Sequence, residues 1–213
     1  EGALIVIFIL ILFLGNMRAG LIVASVIPLS MLFAVSMMQL FGVSGNLMSL
    51  GAIDFGLIVD GAVIIVESVV HRITMSKHHH PGIKRLSQPQ MDETVFQSAK
   101  RMMSSATFGQ VIILIVYVPI MALVGIEGKM FRPMAQVVSF ALIGATILSL
   151  TYVPMVSTLF LSKSTEHKPN FSDRMMDWIH KIFNPAIRYA LNHKLLVSAS
   201  VITIFIASLF VFN

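Results

Sequence analysis

The sequence predicts an all-α integral membrane protein, and three observations predict it. Of its 213 residues, 56% are hydrophobic and 12% charged, whereas a soluble domain carries about 25% charged residues; the mean hydropathy is +0.87. The apolar residues gather into six stretches, most of them near the roughly 20 residues a helix needs to cross a bilayer. The basic residues between those stretches fall almost entirely on alternate connections, as they do when a chain threads a membrane.

The first stretch, about 2–14, is short. Its opening, EGALIVIFIL, puts an acid ahead of the apolar run and lacks the basic region and small-residue cleavage site of a signal peptide. With no initiator Met either, the sequence is expected to be the interior of a longer chain. The second stretch is about 19–41 and contains Pro28; the third is about 46–70. The fourth, about 105–125, contains Pro119, and the fifth, about 134–161, contains Pro154. Such prolines are tolerated because neighbouring helices can satisfy the freed backbone groups. The sixth is about 195–212. In the linker 162–194, Phe171, Met175, Trp178, Ile179 and Ile182 recur at helical spacing with charges between them. This predicts an amphipathic helix over about 171–184 on the membrane surface, with Trp178 at headgroup level and a break or kink at Pro185; a plain linker is the alternative.

Thirteen of the fifteen Lys and Arg lie on one side of this arrangement, in Gly15–Arg18, residues 71–104 and residues 162–194. The other side has only Lys129 and Arg132, in the connection 125–133, where they read as interfacial anchors. The positive-inside rule places the thirteen in the cytoplasm, so the first stretch runs inward, the second outward and the third inward. The net charge of +5 is then topology and contact with anionic lipid, and no nucleic-acid partner is expected. There is no cysteine, which excludes disulfides, thiolate metal sites and a thiol nucleophile.

The third stretch carries three of the ten acids, Asp54, Asp60 and Glu67. An ionised side chain near the bilayer centre costs about 2.5–3.5 kcal/mol or more, so acids there mark function by default. At about 100° per residue, Asp60 and Glu67 differ by only about 20° and share a face roughly 10 Å apart along the axis; Asp54 lies about 120° round from Asp60, nearer the outer side. Small residues including Gly56 and Gly61 surround them and would let a neighbouring helix approach closely. An acid in dry surroundings holds its proton and releases it when water or a cation arrives. Such a carboxyl is either a proton carrier or a static acid satisfied by a packing hydrogen bond. The static alternative weighs most for Glu67, which lies near the cytoplasmic interface and can reach water.

The segments FLGNMRAGLIVASVIPLSMLFA, GNLMSLGAIDFGLIVDGAVIIVES and GKMFRPMAQVVSFALIGATILSLTYVP resemble the resistance-nodulation-division (RND) exporters, within them the heavy-metal efflux branch of cobalt–zinc–cadmium type. The likeness covers nearly the whole chain. It implies a piece of the first membrane repeat: helices two to six over 1–161 with a cytoplasmic loop at 71–104, a linker with an interfacial helix over 162–194, and the start of helix seven over 195–213. It also implies a secondary transporter, not an enzyme. Protons would be the coupling ion and divalent cations (zinc, cobalt, cadmium, also nickel) the substrate, with no cofactor. The pump would be a homotrimer in the bacterial inner membrane, joined by a periplasmic adaptor (membrane fusion protein) and an outer-membrane channel. The family's relay aspartates fall on Asp54 and Asp60 and its helix-end glutamate on Glu67; Ser68 stands where the family often has Asn. Gly61 after Asp60 differs from the paired aspartates of drug exporters, and Asp54 differs from the copper–silver branch. The resemblance also implies a basic partner for the central aspartate in the second repeat, in the remainder of the same pump chain; no candidate for it is expected here, since every Lys and Arg falls in a connection or at a helix end.

Two other readings stay open from the sequence: a proton-driven exporter of organic molecules with the same membrane domain, and a truncated, non-transporting chain. His78, His79 and His80 are a common ligand type for zinc, cobalt or nickel. Adjacent residues rarely serve one structural site, so the run reads as a solvated loop with adventitious metal binding. The fifteen methionines read as apolar filler rather than a soft-metal path. Repeated Tyr-Val-Pro at 117–119 and 152–154 suits either kinks that help rocking or simple packing.

Overall fold

The computed structural model describes residues 2–45, 55–79, 86–162 and 171–212. Among them every regular element is helical, in the order α1 (Gly2–Leu14), α2 (Met17–Phe41), α3 (Phe55–His79), α4 (Gln88–Met121), α5 (Gly125–Leu150), α6 (Tyr152–Phe160), α7 (Phe171–Asn192) and α8 (Lys194–Phe212). They form two compact units, residues 1–168 and 169–213.

In the first unit, α1 and α2 make a tight hairpin. Gly15 turns the chain at φ 59°. The Asn16 side chain then accepts from the backbone N–H of Arg18 at 3.0 Å and of Ala19 at 3.5 Å, satisfying donors that a helix start leaves unpaired. The helices touch at Gly20, where a Cβ would stand 2.6 Å from Ile11 Cγ1 and 3.0 Å from its Cα. Gly42, at φ 65°, closes α2 by donating its N–H to Met38 O, a left-handed end that glycine adopts without a Cβ penalty.

The centre of the unit is α2 against α5, with α3 beside both. Val23, Val26, Val137, Ala141, Ile65 and Val66 are all fully buried there. Gly144 lets the pair close up, since a Cβ on it would lie 2.6 Å from the Phe33 ring. In the most apolar windows of α2 and α5, 44% and 50% of residues are buried, but only 11% in α4. So α4 lies at the periphery and turns Phe108, Ile112, Ile115 and Val116 outward, as a lipid-facing helix does. Buried hydroxyls return to their own helices: Ser139 donates to Ala135 O at 2.7 Å and Ser149 to Ala145 O at 2.6 Å, the bonding open to such groups where water is absent.

Several expectations need correcting. Among the described residues three helices, α2, α4 and α5, are long and apolar enough to cross a membrane, or four if α7 and α8 form one bent span, so six spans are not confirmed. Residues 46–54 of the expected third span lie outside the described residues. The α4 helix begins at Gln88 rather than near 105, and at about 1.5 Å per residue it is about 51 Å long, against a hydrocarbon core of about 30 Å. Likewise 125–133, expected to be a connection, is the first turns of α5, so Lys129 and Arg132 sit on a helix. Lys100 and Arg101 are also inside a helix, in the polar extension of α4.

The fifth stretch is two helices, not one. Thr151 separates α5 from α6 at φ −113°, ψ −61°. Pro154 supplies the reason: it has no N–H for the carbonyl of Leu150, and its ring crowds that carbonyl.

In the second unit, the expected amphipathic helix is present and longer than predicted. α7 continues through Pro185 to Asn192, so the chain does not break at the proline. The turn comes at His193 instead, where the chain bends by 95° into α8. Ile182, Phe183 and Ile187 on α7, and Leu195, Ile204 and Phe205 on α8, are exposed.

Candidate functional site

The α3 helix sorts its residues by face. Ile58, Val59, Ala62, Ile65, Val66, Val69 and Ile73 are buried at 5% exposure or less. On the opposite side, Gly56, Asp60, Glu67 and His71 are exposed. Steps of four, seven and four residues keep these positions within one narrow stripe. The structure therefore brings Asp60 and Glu67 onto one face of one helix, about 10 Å apart along its axis by the helical rise, and no described residue covers them. Asp54 lies outside the described residues, so its place relative to the other two is not defined. The side chains of His78, His79 and His80 are likewise outside the described set. Among the described residues no three of His, Asp and Glu gather where they could hold a metal ion.

A Cβ on Gly61 would stand 2.8 Å from Gln110 Nε2 and 3.2 Å from Ser149 Oγ. This glycine lets α4 and α5 press polar side chains against the backbone next to Asp60. Gln110 is 2% exposed. Its Oε1 accepts a short hydrogen bond from the Thr146 hydroxyl, and that same hydroxyl also lies 2.7 Å from Leu142 O. One hydroxyl has one proton for these two acceptors. Gln110 Nε2 and Thr107 Oγ1, one turn earlier on α4, are buried without a hydrogen-bond partner.

Sequence reasoning missed this amide. The signal was there: a Gln between Phe108 and a run of aliphatics, at a depth where polar side chains are expensive. It was overshadowed by the acids. The order of contacts also fixes direction. Gly61 meets Gln110, while Ser68 and Arg72 share a cavity with Arg101 and Thr94, so α3 and α4 run antiparallel.

The chain was compared with known proteins. The profile of the AcrB/AcrD/AcrF family matches residues 1–213. The cobalt-zinc-cadmium resistance protein CzcA of Cupriavidus metallidurans is 47% identical over 197 residues, which are 92% of this chain and 18% of that protein. The nickel and cobalt resistance protein CnrA of the same organism is 48% identical over 134 residues, 63% of this chain and 12% of that one. Among solved structures, a crystal structure of a heavy metal efflux pump superposes with a TM-score of 0.59 at 42% identity, covering 72% of this chain and 14% of the other. The chain thus spans less than a fifth of the length of these relatives.

Proposed function

The chain belongs to the AcrB/AcrD/AcrF family of RND efflux proteins, and from that premise we propose that it is part of the membrane domain of an inner-membrane exporter that drives divalent heavy-metal cations outward by proton exchange. The observation that carries the reading is the stripe on α3. Asp60 and Glu67 share an exposed face of a helix whose other face is locked into the core. An acid left uncovered on a membrane helix has to meet water, a cation or another helix, because hydrocarbon penalises its charged form. A surface that admits each of these in turn gives the carboxyl a reason to bind and release a proton.

In this reading Asp60 is the central proton carrier, Glu67 the inner port about two turns nearer the cytoplasm, and Asp54 the outer member of the relay. The basic partner of Asp60 comes from the second repeat in the remainder of the pump chain. Gly61 holds α3 close to α4 and α5, so that the carboxyl is presented on a rigid wall. The substrate class follows the relatives: those of cobalt–zinc–cadmium and nickel–cobalt resistance share 47% and 48% identity with this chain. The assembly would be a homotrimer that docks to a periplasmic adaptor and an outer-membrane channel.

The test is Asp60→Asn in the full-length protein, expressed in a metal-sensitive host. The variant keeps shape and hydrogen bonding but cannot carry a proton. Metal resistance is expected to be abolished at unchanged membrane abundance. A variant that still confers resistance overturns the relay assignment.

A further inference from the structure

Between α3 and α4, two arginines line one cavity. Arg72 and Arg101 border a space of about 540 Å³, together with His71, Ser68 and Thr94. No carboxylate is among the lining residues. The acids nearest in sequence lie outside it: Glu67 on the stripe described above, and Glu93, which accepts from Gln97 at 2.7 Å. Arginine stays charged at any physiological pH, so two of them on one cavity repel each other unless an anion lies between. Hydroxyls from Ser68 and Thr94 add neutral donors, and the guanidinium fork suits phosphate oxygens above other anions.

The depth of the cavity narrows the source of that phosphate. Arg72 follows the apolar part of α3 and Arg101 precedes that of α4, which puts both at the level of the headgroups. The positive-inside rule makes this the cytoplasmic leaflet. Below Arg101, Phe108, Ile112 and Ile115 are exposed at 67%, 49% and 61%. Steps of seven, four and three residues keep them on the same face as Arg101. That apolar track is about 10 Å long by the helical rise, room for part of an acyl chain of one leaflet, and Met102 is among the residues that line the cavity.

We infer that the cleft between α3 and α4 binds the phosphodiester of an anionic phospholipid of the cytoplasmic leaflet, through Arg72 and Arg101, with an acyl chain along the outward face of α4. The site adjoins the Asp60–Glu67 stripe at His71 and does not depend on the transport reading. Basic clefts between membrane helices on the cytoplasmic side suit such headgroups.

The experiment uses the full-length protein, purified and delipidated in detergent, and the variant Arg72→Gln/Arg101→Gln. Retained lipid is counted by native mass spectrometry after titration with phosphatidylglycerol or phosphatidylcholine. Wild type is expected to retain phosphatidylglycerol about tenfold or more tightly than the double variant, and phosphatidylcholine no better than the variant does. Equal retention of phosphatidylglycerol by both proteins overturns the site. If the double variant does not fold, thermal melting of the wild type decides instead. Stabilisation by phosphatidylglycerol but not by phosphatidylcholine or inorganic phosphate supports the lipid site. An equal shift with inorganic phosphate, or none with phosphatidylglycerol, overturns it.

Discussion

Asp60 and Gln110 represent two ways a polar group survives in an apolar bundle. Asp60 stays on an open face, where its charge can be met from outside the chain. Gln110 is buried, with Nε2 unpaired. An unpaired buried amide costs roughly 1–3 kcal/mol, while removing it along with its need for a partner is nearly neutral. Gln110→Leu leaves Thr146 its bond to Leu142 O and keeps the volume similar. The variant is therefore expected to melt within about 1 kcal/mol of wild type or above it. A loss of more than about 2 kcal/mol would show that the amide has a partner in the full-length protein. In the proposed relay Glu67 is the inner port, so Glu67→Gln is expected to reduce metal resistance less than Asp60→Asn does; equal loss would make Glu67 an obligatory carrier. The acids were legible from sequence because charge in an apolar run stands out. Gln110 was not, because its burial depends on Gly61 and Ser149, residues far from it in the chain.

At the scale of elements, apolarity marks where a helix meets lipid and not where it ends. Helices α4 and α5 continue into polar sequence because backbone hydrogen bonding persists beyond the hydrocarbon layer. A hydropathy reading therefore shortens α4 at its start and treats the first turns of α5 as a connection. The break at Thr151 shows the reverse: an apolar run continues but Pro154 interrupts the helix. Pro185 in α7 and Pro28 in α2 do not interrupt theirs, so the presence of proline alone did not separate the cases. Two helix contacts rest on glycine, and they differ in what a side chain would strike. At Gly20 a Cβ meets Ile11 close to its backbone, and at Gly144 it meets the Phe33 ring. A ring can rotate away and a backbone cannot. Gly20→Val is expected to lower the melting temperature more than Gly144→Val, each costing about 1–3 kcal/mol of overpacking. The reverse order would show that the α2–α5 contact is the less forgiving one.

At the scale of the molecule, the first unit packs one face of α3 into its core and leaves the other face open. Its core is closed by α2, α3 and α5, yet α3 turns Asp60 and Glu67 away from that core. The chain has no Lys or Arg between Arg18 and Arg72, and the fold brings none onto the stripe from α2, α4 or α5 beside Asp60. In the relay proposed above, the countercharge comes from the remainder of the pump chain. This much was legible from the sequence, because the spacing of Asp60 and Glu67 fixes a common face once the helix is granted.

The claim that Asp60 couples protons to cation export is tested most directly by flux in proteoliposomes. The full-length protein and its Asp60→Asn variant are reconstituted with a pH-sensitive dye inside, and a divalent cation such as zinc is added. Wild type is expected to move protons in response to the cation, and Asp60→Asn to move none while remaining folded in the membrane. Cation-driven proton movement that persists at the wild-type rate in Asp60→Asn would contradict the account.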